Sequence, residues 1–235
     1  MAAAPVIPLT ALPVGYIEPL PPHLHTSLFP HVVRHGVVRL GVHGDGSCFF
    51  HALAAAINYK GYLQVSHAQR QAIGQAFRCD FQSRMDESVW HSIVATTPHN
   101  IKRSFDDVRS AFCKPRVWAE ETMIKYTSKH MGLNIVFVDG DTWSFYCGVV
   151  GDHTAHDTVV LVWVDKSHFE CLLFLEPAAQ GGAVALPSQG GQNDTRTIHT
   201  SGRLPCNNEL VQQKIVVPLM TAFGTKCHAH STRPV

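Results

Sequence analysis

At Gly132 the apolar pattern of this chain changes its period, and that change restricts the fold more than any other feature of the sequence. Before it, apolar residues recur at helical spacing. FFHALAAAI, residues 49–57, is Ala-rich and apolar nearly all round, which predicts a buried helix. Ser66 suits the N-cap of a second helix running through Cys79. Residues 86–95 and 104–112 are weaker helical segments. Residues 119–130 make a further helix, which Gly132 closes from a C-cap position. Beyond Gly132, LNIVFVD, WSFYCGVV, DTVVLVWVD and FECLLFLE are strand-like runs bounded by Asp, Gly and Asn. The tripeptide Asp165-Lys166-Ser167 is short enough to join the last two as a hairpin. Helices first and mostly antiparallel strands later describe an α+β domain, its helices packed around a small sheet. Trp118 and the apolar positions of the helix after it are expected in the core.

The ends of the chain differ from this middle. Residues 1–30 carry Pro5, Pro8, Pro13, Pro19, Pro21, Pro22 and Pro30, and proline cannot donate to a helix or a ladder. They read as an extended arm, loose or draped on a domain of residues 31–177. Residues 178–207 are rich in Gly, Gln and Ala without a core pattern and read as a disordered linker. Residues 208–235 hold one segment able to dock as a helix or strand. The closing KCHAHSTRPV has no stop signal, as in a piece of a longer protein.

A length of 235 residues, 45% of them hydrophobic, suits one medium domain with tails. Lys and Arg number 19 against 18 Asp and Glu, so no charge excess argues for nucleic acid or an anionic membrane. The 7 cysteines are odd in number and form no CxxC pair. The N-terminus has no basic start and is broken by prolines, unlike a signal peptide. No apolar run approaches the roughly 20 residues of a membrane helix. Reduced thiols in a cytosolic or nuclear setting are therefore expected.

Within GVHGDGSCFFHALAAAI, a glycine-rich turn delivers Cys48 to the start of the buried helix. Free amides of a first helical turn and the helix dipole favour a thiolate, the reactive form of cysteine. Gly44 and Gly46 permit a tight turn that aims backbone N–H groups at a substrate carbonyl. A cysteine nucleophile needs a base, and His168 is the best candidate, at the start of the strand HFECLLF. On a strand, Glu170 shares the face of His168, so its carboxylate is placed to orient the imidazole. An ordinary buried thiol is the competing reading of Cys48, and a surface histidine that of His168. His51, one turn after Cys48, reads as a packed histidine with a local hydrogen bond. A zinc site at His168 and Cys171 lacks further ligands. The glycine spacing fits neither phosphate-loop pattern.

GDGSCFFHAL resembles the nucleophile motif of the OTU (ovarian tumour) family of cysteine proteases, and VDKSHFECLLF resembles that family's histidine motif. RVWAEETMIKYTSKHMGLNIVFVD is similar to the segment between them. The resemblance spans residues 35–177 and is specific at the two motifs. It implies a papain-like α+β fold and deubiquitinase activity, with Cys48 as nucleophile and His168 as base. It also implies that Asp45 contributes to the oxyanion hole through its backbone, together with the Cys48 amide. In some members the side chain at the Asp45 position orients the histidine. The family has Asp or Asn where Glu170 stands, and glycine where Ala119 stands. The third catalytic member is thus Glu170 or Asp45.

The resemblance implies ubiquitin, polyubiquitin chains or a ubiquitin-like modifier as partner, and no metal or organic cofactor. Nucleic acid and membrane are not expected as partners. A monomer is expected, in the cytoplasm, or in the host cytoplasm for a viral member. Two alternatives stand beside this reading: a viral polyprotein-processing cysteine protease, and a catalytically silent ubiquitin-binding module of the same fold.

Overall fold

The computed structural model describes residues 9–21, 29, 36–96, 104–114, 116–140, 145–149, 156–174, 202–204 and 206, with the backbone alone at 145–149. Of the linker, residues 178–207, only 202–204 and 206 are described, and Arg203 and Leu204 pair with a strand there; the docking segment within 208–235 lies outside the described residues. The helices come first: α1 (Cys48–Ile57), α2 (Tyr59–Gln64), α3 (His67–Arg84), α4 (Glu87–Thr96), α5 (Phe105–Cys113) and α6 (Glu121–Met131). Strands β3 (Leu133–Asp139), β4 (Phe145–Val149), β5 (Asp157–Val164) and β6 (His168–Phe174) follow. Two strands precede the helices, β1 (Ile17–Pro19) and β2 (Val37–Leu40), and β7 (Arg203–Leu204) comes last.

The helix boundaries have local causes. Ser66 and Gln69 exchange bonds as a capping box at the start of α3, with Ser66 Oγ accepting from the Gln69 amide at 3.3 Å and Gln69 Oε1 from the Ser66 amide at 2.8 Å. Ser104 and Asp107 do the same for α5. Gly132 ends α6 in the left-handed conformation, φ 59°. Helix α2 has no sequence periodicity to announce it; Asn58 starts it by accepting from the Gly61 amide.

The sheet has seven strands among the described residues, ordered β1-β2-β6-β5-β3-β4 with β7 beside β5. Every pairing is antiparallel except β3 with β5. The fold is α+β and the sheet mostly antiparallel, as expected. The Pro-rich arm is draped rather than loose where it is described: β1 pairs with β2, and Gly41 donates to Tyr16 O. At the β5–β6 turn, Asp165 and Lys166 take φ of 51° and 54°, a twist that matches a tight hairpin and sets Val164 opposite His168.

Strand alternation sorts the core into two layers. Leu161, Phe169, Cys171 and Leu173 face α1, whose Phe49 and Phe50 are 1% and 0% exposed. Val160, Val162, Leu172 and Phe174 face the other way and are covered by Leu9, Leu20 and Phe29 of the arm. This double cover is why β3 is buried along its whole length. Each fully buried large apolar side chain contributes about 1.5–3 kcal/mol. The expectation for Trp118 is corrected: its side chain is 56% exposed. It lies before α6, which begins only at Glu121, so it is on a loop rather than on the helix's apolar face.

Candidate active site

The structure starts α1 at Cys48, so the glycine loop ends where the helix begins. Ser47 occupies the N-cap but does not cap with its side chain. Its Oγ instead accepts from Arg78 Nε at 2.9 Å. The first amides of α1 are thereby left open, and those of Phe49 and Cys48 favour the Cys48 thiolate. Gly46 turns the loop at φ 82°, and a Cβ there would overlap the backbone of Arg116, which crosses close above it.

The histidine arrives from the sheet. His168 is the first residue of β6 and is buried. The amide of the next residue, Phe169, is among the backbone groups that favour the Cys48 thiolate. The Phe169 ring packs edge-on against Phe49, centroids 5.9 Å apart, and so ties the strand to α1. The imidazole lies beside Gly44, where a Cβ would be 3.6 Å from Nδ1. The loop, the start of α1 and the start of β6 thus meet at one place.

The two carboxylates named from sequence are committed elsewhere. Asp45 Oδ1 accepts from the Ser47 amide at 2.9 Å, and Oδ2 is 3.2 Å from His51 Nε2. Glu170 is fully buried; its Oε1 accepts from the Leu12 amide at 2.5 Å and its Oε2 pairs with Arg39 Nη1 at 3.1 Å. Among the described residues, neither carboxylate hydrogen-bonds His168. His51 is the packed histidine expected, wedged against α3 so that a Cβ on Gly74 would come within 2.6 Å of its Nε2. Cys171 points into the α1-side core, away from His168, and burial pushes its thiol well up.

Burial decides the resting protonation. It raises the Cys48 thiol above its ordinary value, against the pull of the Phe169 and Phe49 amides. It lowers the His168 imidazole, helped by the nearby His51, while Asp165 and Asp45 oppose the shift. Both shifts favour the neutral form, a thiol at Cys48 and an imidazole at His168. The helix terminus alone suggested a thiolate; desolvation outweighs it here. A neutral imidazole is the form able to accept a proton.

Two buried arginines had no signal in the sequence beyond their apolar neighbourhoods. Arg78 is 0% exposed. It donates to Ser47 Oγ, to Gly46 O at 2.5 Å, to Phe112 O and Lys114 O at 3.2 Å each, and to Val117 O. Its guanidinium also lies 4.9 Å from the Phe50 ring centroid. It therefore fastens the nucleophile loop to the end of α5 and the segment before α6. Arg39, on β2, joins Glu170 to Thr10 O at 3.2 Å and to Glu18 Oε2 at 2.6 Å. A polar residue inside an apolar segment, such as Arg78 in QAFRCDF or Arg39 in VVRLGV, was the available hint. Among the described residues, no group of three or more His, Cys, Asp or Glu is placed to hold a metal ion, and no helix is long and apolar enough to cross a membrane.

No protein-family model and no curated protein matches the sequence. Solved structures do. An OTU domain in complex with ubiquitin is 18% identical, with a TM-score of 0.42 over 59% of this chain and 72% of that one. The OTU of Hazara virus bound to ubiquitin is 18% identical, with a TM-score of 0.41 over 60% of this chain and 82% of that one. An OTU deubiquitinase of Wolbachia pipientis bound to ubiquitin is 15% identical, with a TM-score of 0.38 over 59% and 96%. These structures, to which the chain is similar, are OTU domains, the family whose two motifs the sequence resembles.

Proposed function

We propose that this chain is a cysteine isopeptidase that hydrolyses the bond after the C-terminal glycine of ubiquitin or a ubiquitin-like modifier. The observation that supports the reading is the meeting of the glycine loop and the start of α1 with the start of β6, where His168 lies beside Gly44 and the Phe169 ring packs on Phe49. The substrate class comes from the resemblance of GDGSC and HFE to the OTU motifs.

In this reading His168 takes the Cys48 proton as the sulfur attacks the glycine carbonyl. The oxyanion is held by backbone N–H groups of the loop, at Asp45 and Cys48. The imidazolium then donates its proton to the departing lysine amine, leaving a thioester. Water, with His168 as base, hydrolyses the thioester and frees the sulfur. Cys48 and His168 act as a dyad, while Asp45 braces the loop through Ser47 and His51 and Glu170 anchors β6 through Arg39.

Replacing Cys48 by Ala is expected to lower cleavage of di-ubiquitin by at least about 1,000-fold. A ubiquitin probe with an electrophilic C-terminus should label Cys48 and no other cysteine. Equal activity of wild type and Cys48→Ala would end the proposal. The commitment of both carboxylates away from His168 favours a second reading, a ubiquitin-binding module without turnover. Binding of ubiquitin with no cleavage and no probe labelling would select it.

A further inference from the structure

Away from the candidate site, two cysteines on different helices face each other. Cys79 is exposed on α3, and Cys113 is the last residue of α5. Their sulfurs are 3.1 Å apart, and the two residues are 34 positions apart in the sequence. The surroundings are ordered by two glutamines of α3. Gln75 Nε2 donates to the Cys79 sulfur at 3.3 Å and to the Cys113 carbonyl at 3.1 Å, and Gln82 Oε1 lies 2.7 Å from the Cys113 sulfur. Gln75, Cys79 and Gln82 follow helical spacing, so they present one face of α3 to the end of α5.

We propose that Cys79 and Cys113 form an oxidation site, a dithiol that hydrogen peroxide converts into an intramolecular disulfide joining α3 to α5. Exposed Cys79 is the attacking thiol. Its sulfur bonds to one peroxide oxygen, the O–O bond breaks, and the other oxygen leaves as water, giving a sulfenic acid. The Cys113 sulfur then attacks the Cys79 sulfur. The S–O bond breaks and the hydroxide leaves as water with the Cys113 proton. Two thiols are oxidised, and one peroxide is reduced to two waters. A disulfide requires a separation of about 2.05 Å, so the sulfurs must close by about 1 Å, within reach of small side-chain rotations.

The order of roles follows from exposure and proton affinity. Cys113 is less exposed, and its thiol is pushed up to about 11 by burial and by Cys79, so it keeps its proton and serves as the resolving partner. The bond would form beside Arg78, which holds the Phe112 and Lys114 carbonyls on either side of Cys113. Oxidation would therefore lock the joint that carries the nucleophile loop.

The test treats the full chain with hydrogen peroxide and maps its cysteines by mass spectrometry without reduction. The expected result is a Cys79–Cys113 cross-linked peptide lacking two hydrogens, reversed by dithiothreitol. A rise in Tm on the order of 5 °C relative to the reduced protein should accompany it. In Cys113→Ser, Cys79 should stop at the sulfenic acid and be trapped by dimedone. The proposal is overturned if both thiols of the oxidised wild-type chain still alkylate freely, or if either is found bonded to another cysteine instead. Mapping the wild-type chain decides the matter even if Cys113→Ser fails to fold.

Discussion

Each half of the candidate site is backed by a buried guanidinium, and the two are held in opposite ways. Arg78, behind the nucleophile loop, donates to four backbone carbonyls and a hydroxyl. Arg39, behind the histidine strand, is held between two carboxylates, Glu170 at 3.1 Å and Glu18 at 2.6 Å, with one carbonyl. The first arrangement fixes backbone positions, as the proposed oxyanion donors of the loop require. The second fixes a strand to the arm that covers it, through charge. Loss of Arg78 should therefore disturb geometry at Cys48, whereas loss of the Arg39 partners should disturb the sheet's outer cover.

The sharpest way to break this contrast is to remove Arg78. Arg78→Met leaves its two buried acceptors, Ser47 Oγ and Phe112 O, unpaired at about 1–3 kcal/mol each and releases three part-buried carbonyls, so a loss of about 2–6 kcal/mol is expected in denaturant titration. Arg78→Lys keeps the charge but reaches fewer acceptors. It should fold with lower stability and show reduced cleavage together with an altered rate of Cys48 alkylation. Unchanged activity in folded Arg78→Lys would remove Arg78 from the support of the loop.

Glu170→Gln tests the other half. It leaves Arg39 buried with only Glu18 as charged partner and should cost about 2–4 kcal/mol in chemical denaturation. The folded variant should keep kcat/KM within about tenfold of wild type. A fall of several orders of magnitude at intact fold would instead make Glu170 the acid that orients His168.

A smaller effect is expected where α3 packs against α1. Gly74→Ala sets a Cβ 2.6 Å from His51 Nε2 and 3.1 Å from Ser47 Cβ. The overlap should cost about 1–3 kcal/mol, partly offset by the better helix propensity of alanine. Thermal unfolding of the variant checks this, and an unchanged or raised Tm would mean that His51 and the loop give way easily.

The pH profile should shift least. Because burial lowers His168, the base stays neutral at pH values where an ordinary imidazole is already protonated. The acid limb of kcat/KM should therefore fall below the ordinary 6.5. An acid limb above that value would indicate an imidazolium held by a charged partner, against the neutral pair described here.

Much of the architecture was legible because its causes are local. Ser66 caps α3 with its own neighbour Gln69, and Gly132 ends α6 by its backbone freedom. The Asp165-Lys166-Ser167 turn could be read from loop length. Strands β1 and β7 were not legible. They are three and two residues long, and only the chance to pair with β2 and β5 makes them strands. Helix α3 extends past the expected Cys79 to Arg84, where Arg109 and the Tyr126 hydroxyl donate to the Gln82 and Arg84 carbonyls.

The candidate site divides along the same line. The sequence by itself singled out the side chains that are candidates for the chemistry. A glycine turn feeding an apolar helix places a cysteine at a helix start, and a short hairpin places a histidine at a strand start; both are short-range consequences of backbone preference. Only the tertiary structure decided what surrounds them. Glu170 sits two residues from His168, yet its partner Arg39 is 131 residues away and its other donor, Leu12, is 158 away. A buried charge goes to whatever opposite charge the fold brings to it. Likewise the helix terminus favours a thiolate, but burial of Cys48 under β6 reverses that preference, and desolvation is a property of the assembled molecule rather than of any segment.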